Sequence, residues 1–158
     1  MAIKLGARFQ GPGSRVRMRY PGSCRPEPNI RSTEALTLAQ VESYRDLVVW
    51  QRAMTLIEEV YKLSSTFPKQ EQFGITSQVR RACISIAANI AEGHSRGTRK
   101  DYAHFISMAR GSLAEAETYL ILAGRLKLAN RDDLTPTWHL AEEVSKMLTA
   151  LHHRLVIE

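Results

Sequence analysis

Ala82-Cys83-Ile84-Ser85-Ile86-Ala87-Ala88-Asn89-Ile90-Ala91-Glu92-Gly93 has no polar face of ordinary width. Wound at about 3.6 residues per turn, it is small or apolar around most of its circumference. A helix of that kind must be covered on more than one side. It is therefore either the central helix of a bundle or a helix with one face against another subunit. Extended backwards, the segment predicts a helix over 72–92, with Gly93 placed to take the left-handed conformation that closes helices.

The flanking sequence supplies partners for it. Ser43-Tyr44-Arg45-Asp46 has the spacing of a capping box, so a first helix is predicted to begin there. Leu47, Trp50, Met54, Ile57 and Tyr61, with Val60 beside them, form its core-facing stripe, and the run ends before Pro68. Downstream, Thr98-Arg99-Lys100-Asp101 is a second capping box. It opens a long helix carrying Phe105, Met108, Ala109, Leu113, Ala116, Leu120, Ala123 and Leu126. Gly111 within it costs about 1 kcal/mol against alanine, which predicts close packing of a neighbouring helix there. Asn130-Arg131-Asp132-Asp133 makes a turn, and Thr135-Pro136 starts a last helix with proline at its first position. The stripe of that helix is Trp138, Ala141, Val144, Leu148, Leu151 and Leu155. No stretch alternates as a strand does. The expected fold is all-α, an antiparallel up-down-up-down four-helix bundle over residues 41–158.

Residues 1–40 differ in character. Glycine and proline punctuate them at Gly11-Pro12-Gly13, Tyr20-Pro21-Gly22 and Arg25-Pro26-Glu27-Pro28, and they are expected to form a disordered tail. The net charge of +6 is concentrated there. Lys4, Arg8, Arg15, Arg17, Arg19, Arg25 and Arg31 against Glu27 and Glu34 give 7 − 2 = +5, which leaves +1 for the other residues. The high isoelectric point therefore describes the tail more than the folded domain. An RNA-binding arm and an incidental extension from a misassigned start are both compatible with it. Composition alone carries no specificity, which favours the second. No window is long and apolar enough for a membrane span, and the first residues lack the apolar run of a signal peptide. The expected location is the cytoplasm, with no membrane partner. Cys24 and Cys83 do not form a disulfide framework or a zinc spacing, and Cys83 reads as a small buried thiol.

Catalytic and metal signatures are missing from the sequence. Asp101-x-x-His104 occurs without the second copy that a di-iron bundle needs, and His152-His153 has no partner motif. No nucleophile elbow, phosphate loop or dinucleotide fingerprint occurs. The expectation is a non-enzyme without cofactor or metal. Two groups remain. His94-Ser95-Arg96-Gly97-Thr98-Arg99-Lys100 places three cations beside free helix amides, a candidate anion site or a solvated charged turn. Gln78, Arg81, Ser85, Asn89 and Glu92 share one face of the central helix. With Ser112 and Glu115 they hold the inventory of an interhelical hydrogen-bond network. Such a stripe either fixes helix register or a subunit interface, or lines a binding groove.

Tyr44-Arg45-Asp46-Leu47-Val48-Val49-Trp50-Gln51-Arg52-Ala53, Phe67-Pro68, Phe73-Gly74-Ile75-Thr76-Ser77-Gln78-Val79-Arg80-Arg81-Ala82, Ser85 to Gly93, and Gly111-Ser112-Leu113-x-Glu115 together resemble the 23S rRNA intervening-sequence proteins, the S23 or four-helix-bundle protein family. The resemblance runs from Tyr44 to Leu155. The family pattern has proline where this chain has Ala87, a change that should straighten the central helix. The resemblance implies an antiparallel bundle assembling into a ring, typically a homopentamer. Its shape is similar to that of the accessory variability protein of diversity-generating retroelements, which binds nucleic acid and its reverse transcriptase. The family has no known catalytic residues, and its name records a genomic location.

Three functions follow in descending order of support. The first is an oligomeric binding or scaffolding protein for structured RNA or a ribonucleoprotein. The small charge of the core counts against it unless Arg80, Arg81, Arg96, Arg99 and Lys100 gather on one face of a ring. The second is a self-assembling protein adaptor. The third, an enzyme or small-molecule binder built on the polar stripe, requires a concave pocket around Arg81, Asn89 and Glu92 with shifted pKa values.

Overall fold

The computed structural model describes residues 42–157. The tail expected over residues 1–40 lies outside the described residues. Four long helices make up the rest: α1 (Val48–Ser64), α2 (Ile75–Ser95), α3 (Arg99–Arg125) and α4 (Arg131–Ile157). Single 3-10 turns at Tyr44–Asp46 and Lys69–Glu71 precede α1 and α2. Among the described residues there is no strand, so the fold is all-α.

The helices pack as a bundle in a cycle: α1 on α2, α2 on α3, α3 on α4, and α4 back on α1. The core comprises Val49, Ala53, Leu56, Val60 and Leu63 of α1, Val79, Ala82, Cys83, Ile86, Ala87 and Ile90 of α2, Ile106, Ala109, Leu113, Ala116, Leu120 and Ala123 of α3, and Ala141, Val144 and Leu148 of α4. Alanine recurs in every helix of this set, which permits close axial approach. Burial of Cys83 inside it pushes the thiol up to about 12, so the sulfur is protonated and inert at neutral pH. Ala87, which stands where the family pattern has proline, sits within an uninterrupted α2.

Several local readings are corrected. The Ser43 capping box exists, with Ser43 Oγ accepting from Arg45 and Asp46 Oδ2 accepting from the Ser43 amide, but it closes the 3-10 turn. Leu47 is extended at ψ 120°, and α1 starts only after it. The buried stripe of α1 also differs from the expected one. Val49, Ala53 and Leu56 are buried, Trp50, Met54 and Ile57 lie at the margin, and Tyr61 is exposed. In α3, Ile106 is buried while Met108 and Leu126 face out. Asn130 opens α4, its Oδ1 accepting from the Asp133 amide at 2.9 Å. Pro136 therefore stands inside the helix, not at its start. The carbonyl it leaves unbonded is that of exposed Asp132, where solvent can replace the partner.

The two glycines also differ from expectation. Gly93 does not close α2, which runs on to Ser95. It is buried, and a Cβ there would meet Phe105 Cβ at 2.6 Å and Tyr102 Cδ2 at 2.9 Å. Close packing belongs to this glycine. Around Gly111 a Cβ would meet nothing within 4 Å, so no neighbouring helix of the same chain requires it.

The end of α3 is the one described position where a side-chain-bearing residue turns left-handed. Lys127 has φ 57°. The Leu128 amide bonds the Ala123 carbonyl at 2.9 Å and the Lys127 amide bonds that of Gly124 at 3.1 Å, the paired bonds of a Schellman closure. Glycine occupies that place without steric cost. Lys127→Gly is expected to raise stability by about 1 kcal/mol, read as a higher urea midpoint with an unchanged slope. An unchanged or lowered midpoint would mean that lysine side-chain contacts outweigh the backbone gain.

Candidate functional site

The five cations singled out in the sequence are divided between the two ends of α2. Arg80 and Arg81 lie in its first half, and Arg96, Arg99 and Lys100 follow its last turn, about 20 Å further along the axis at 1.5 Å per residue. Arg80 is half-buried and already employed. Its Nε donates to Ser64 Oγ at 2.7 Å, and its guanidinium stacks 4.6 Å from the Tyr61 ring centre, fastening α2 to the end of α1. Arg81 is exposed. The pair and the trio do not form one patch within a chain.

At the other end, Thr98 caps α3 as its sequence implied, Thr98 Oγ1 accepting from the Asp101 amide at 3.0 Å. Asp101 Oδ2 in turn accepts from Thr98 Oγ1 at 2.7 Å, so this helix start already carries a carboxylate in its first turn. The cations around it differ in availability. Arg96 pairs with Glu92 at 2.5 Å and lies 5.0 Å from the Phe105 ring centre. Arg99 reaches the last turn of α4, its Nε donating to the Leu155 carbonyl at 3.0 Å and an Nη to that of Arg154. A cation on terminal carbonyls satisfies acceptors that the helix leaves open and offsets its dipole. Lys100 is exposed on the same turn and forms no ion pair among the described residues.

The Arg99 contacts bring the last turn of α4, with His152, His153 and Arg154, to this end of the bundle. Arg154 is the cation that sequence reasoning missed. Only the tertiary approach of α4 to the α2–α3 turn reveals it, because nothing in a sequence links positions 99 and 154.

The polar stripe of α2 becomes a smaller network than its composition suggested. Asn89, which is buried, donates to the Ser85 carbonyl at 2.8 Å and to Ser85 Oγ at 3.1 Å. Ser112 Oγ of α3 bonds Ser85 Oγ at 3.0 Å, the one polar link from the stripe to the next helix. Glu92 turns to Arg96, and Glu115 accepts from Tyr119 on its own helix at 3.3 Å. Gln78 is half-buried and Arg81 exposed, and neither joins the network. The three-residue contact sets the register of α2 against α3. Neither the groove at the α3–α4 turn nor the smaller cleft beside Gly111 is lined by Arg81, Asn89 or Glu92, and the shifted groups lie elsewhere. Burial pushes the Tyr102 phenol up to about 12, and burial with the like charge of Glu142 raises the carboxyl of Glu117. Among the described residues no three His, Cys, Asp or Glu side chains converge as metal ligands, and no helix is long and apolar enough to cross a membrane.

Comparison with known proteins places these features in a lineage. No curated protein matches the sequence. Among solved structures, the chain resembles a protein of unknown function from the S23 ribosomal protein family of Bacteroides thetaiotaomicron. The two share 24% identity and a TM-score of 0.62, over 66% of this chain and 98% of that one. At that identity the likeness speaks for the fold. The sequence itself matches the 23S rRNA-intervening sequence protein description over residues 45–150, which includes α1, α2, α3 and most of α4. The chain belongs to the 23S rRNA-intervening sequence protein family.

Proposed function

We propose that this chain is a non-enzymatic scaffolding protein of the cytoplasm, an antiparallel up-down-up-down bundle that self-associates and binds structured RNA or a ribonucleoprotein at the end where the α2–α3 turn meets the last turn of α4. The observation that carries the reading is the gathering of Arg96, Arg99, Lys100 and Arg154 at that end, with Lys100 and Arg154 in no ion pair among the described residues. The antiparallel order is supported by contacts that join successive helices tail to head: Ser64 to Arg80, Gly93 to Phe105, and Arg99 to Leu155. Repetition of the basic end around a symmetric oligomer, a homopentamer in the reading taken from the family, multiplies a modest charge.

Arg99 is a structural tether, so the test leaves it in place. In the full chain, Arg96→Ala/Lys100→Ala/Arg154→Ala is expected to weaken binding to a labelled structured RNA, measured by fluorescence anisotropy across a salt series. The slope of log affinity against log salt should fall by about 2. Arg15→Ala/Arg17→Ala/Arg19→Ala serves as the comparison. If this tail variant loses all binding while the bundle variant loses none, nucleic-acid binding by the folded domain is ruled out.

A second reading, a self-assembling adaptor that binds no RNA, has its own observation. Ile84 of α2 is 45% exposed and Met108 of the adjacent α3 is 44% exposed, with Ala88 also facing out. An apolar strip on the most apolar helix of the fold suits a subunit contact. Ile84→Glu should lower the mass measured by sedimentation equilibrium, and a monomeric parent chain would remove this reading.

A further inference from the structure

We propose that the groove between the end of α3 and the start of α4 is a binding site for an amphiphilic organic anion, an apolar or aromatic body bearing one acidic group. The groove has a volume of about 920 Å³, at the upper end of the range for small-molecule sites. Its floor is apolar: Leu120, Ile121, Leu134 and Trp138. Its rim carries Arg125, Lys127 and Arg131, all exposed and none in an ion pair among the described residues. No carboxylate lines it. Three cations outside any ion pair among the described residues, set around an apolar floor, complement a ligand that is greasy at one end and negative at the other.

Two further features keep the groove open and its wall fixed. Gly124 lies in the lining, where a Cβ would stand 3.1 Å from Leu134 Cδ1, so a larger residue would displace Leu134, itself part of the lining. The Trp138 indole is held from outside the groove lining, its Nε1 donating to Glu142 Oε1 at 3.0 Å, which orients the ring as a wall. The strained residue of the described chain, Lys127 at φ 57°, belongs to this rim.

The site is separate from the basic end proposed for RNA, since it lies at the α3–α4 turn and that end lies at the α2–α3 turn. The probe is 1-anilinonaphthalene-8-sulfonate, an aromatic anion whose fluorescence rises in apolar surroundings, titrated into the full chain and then displaced with decanoate or with uncharged decanol. The expected result is saturable binding of one probe per chain, with decanoate displacing it about tenfold or more better than decanol. Lys127→Gly/Arg131→Ala should weaken decanoate by about tenfold or more while the urea midpoint holds or rises, so unfolding cannot be mistaken for loss of the site. Trp138→Ala should abolish saturable binding in a chain that keeps its helical circular dichroism. Equal displacement by decanol and decanoate, or an unchanged decanoate affinity in the cation variant, would reduce the groove to a plain apolar surface and overturn the proposal. Displacement of the probe by structured RNA but not by decanoate would also overturn it, and would assign the groove to nucleic acid.

Discussion

Gly93→Val is expected to destabilise the protein by about 3 kcal/mol or more, among the largest effects available to a single substitution. Overpacking a well-filled core costs typically about 1–3 kcal/mol, and here the new atoms collide with atoms that cannot swing away. The position of a Cβ at residue 93 lies 2.6 Å from Phe105 Cβ, an atom fixed directly to the α3 backbone. Relief therefore requires α2 and α3 to separate. That separation would also stretch the Ser85–Ser112 hydrogen bond of 3.0 Å and uncover Ile86, Ile90 and Ile106. Gly93→Ala should show the same sign at smaller size, whereas Gly111→Ala should stabilise slightly, because nothing stands near its Cβ and alanine favours helix by about 1 kcal/mol. Urea unfolding of the three variants checks the set. A Gly93→Val chain as stable as its parent would refute the close approach of the two helices.

Ile86→Ala should lower stability by about 2–5 kcal/mol, the cost of deleting a buried aliphatic side chain and leaving a cavity. Ile86 is fully buried within the apolar core. Ile84, two positions away on the same helix, is 45% exposed, so Ile84→Ala should cost only a few tenths of a kcal/mol in a monomer. The contrast also reads out assembly. If Ile84→Ala costs more than about 1 kcal/mol, with the loss shrinking on dilution as the parent dissociates, that face is covered by a second copy under the conditions of measurement.

The sequence made α2 plain because its side chains are small or apolar on nearly every side, and only a helix amid other helices tolerates that. Its neighbours were harder to register. In α1 the large residues Trp50 and Tyr61 attract any reading based on hydrophobic size, yet the core took Val49, Ala53 and Leu56. Aromatic rings with a polar tip fit the margin of a small bundle, where one end can stay wet, while alanine lets helix axes approach. The glycines were indistinguishable for a similar reason: the need for Gly93 lies in Phe105 and Tyr102, residues of another helix. Pro136 resembled a helix start because that is its commonest place, but Asn130 had already capped α4. At the candidate basic end, charge was legible and commitment was not. Arg99 looked as available as Lys100 until α4 arrived to occupy it. The apolar groove escaped notice because Leu120 and Trp138 lie on opposite sides of a turn, and each reads alone as a stripe residue.

The cyclic packing of the helices has a kinetic consequence. Three of its four contacts join helices adjacent in sequence, which need only short chain closures. The fourth seats α4 on α1 and brings together residues as far apart as Arg52 and Glu143, whose side chains meet at 3.1 Å. Loop-closure entropy predicts that this docking follows the contacts between sequence-adjacent helices. Interactions made only after the transition state retard escape from the native state without hastening arrival. The seam between α1 and α4 is thus the expected place for unfolding to begin, and strengthening it should lengthen the protein's lifetime at a given temperature while leaving its folding rate nearly as it is.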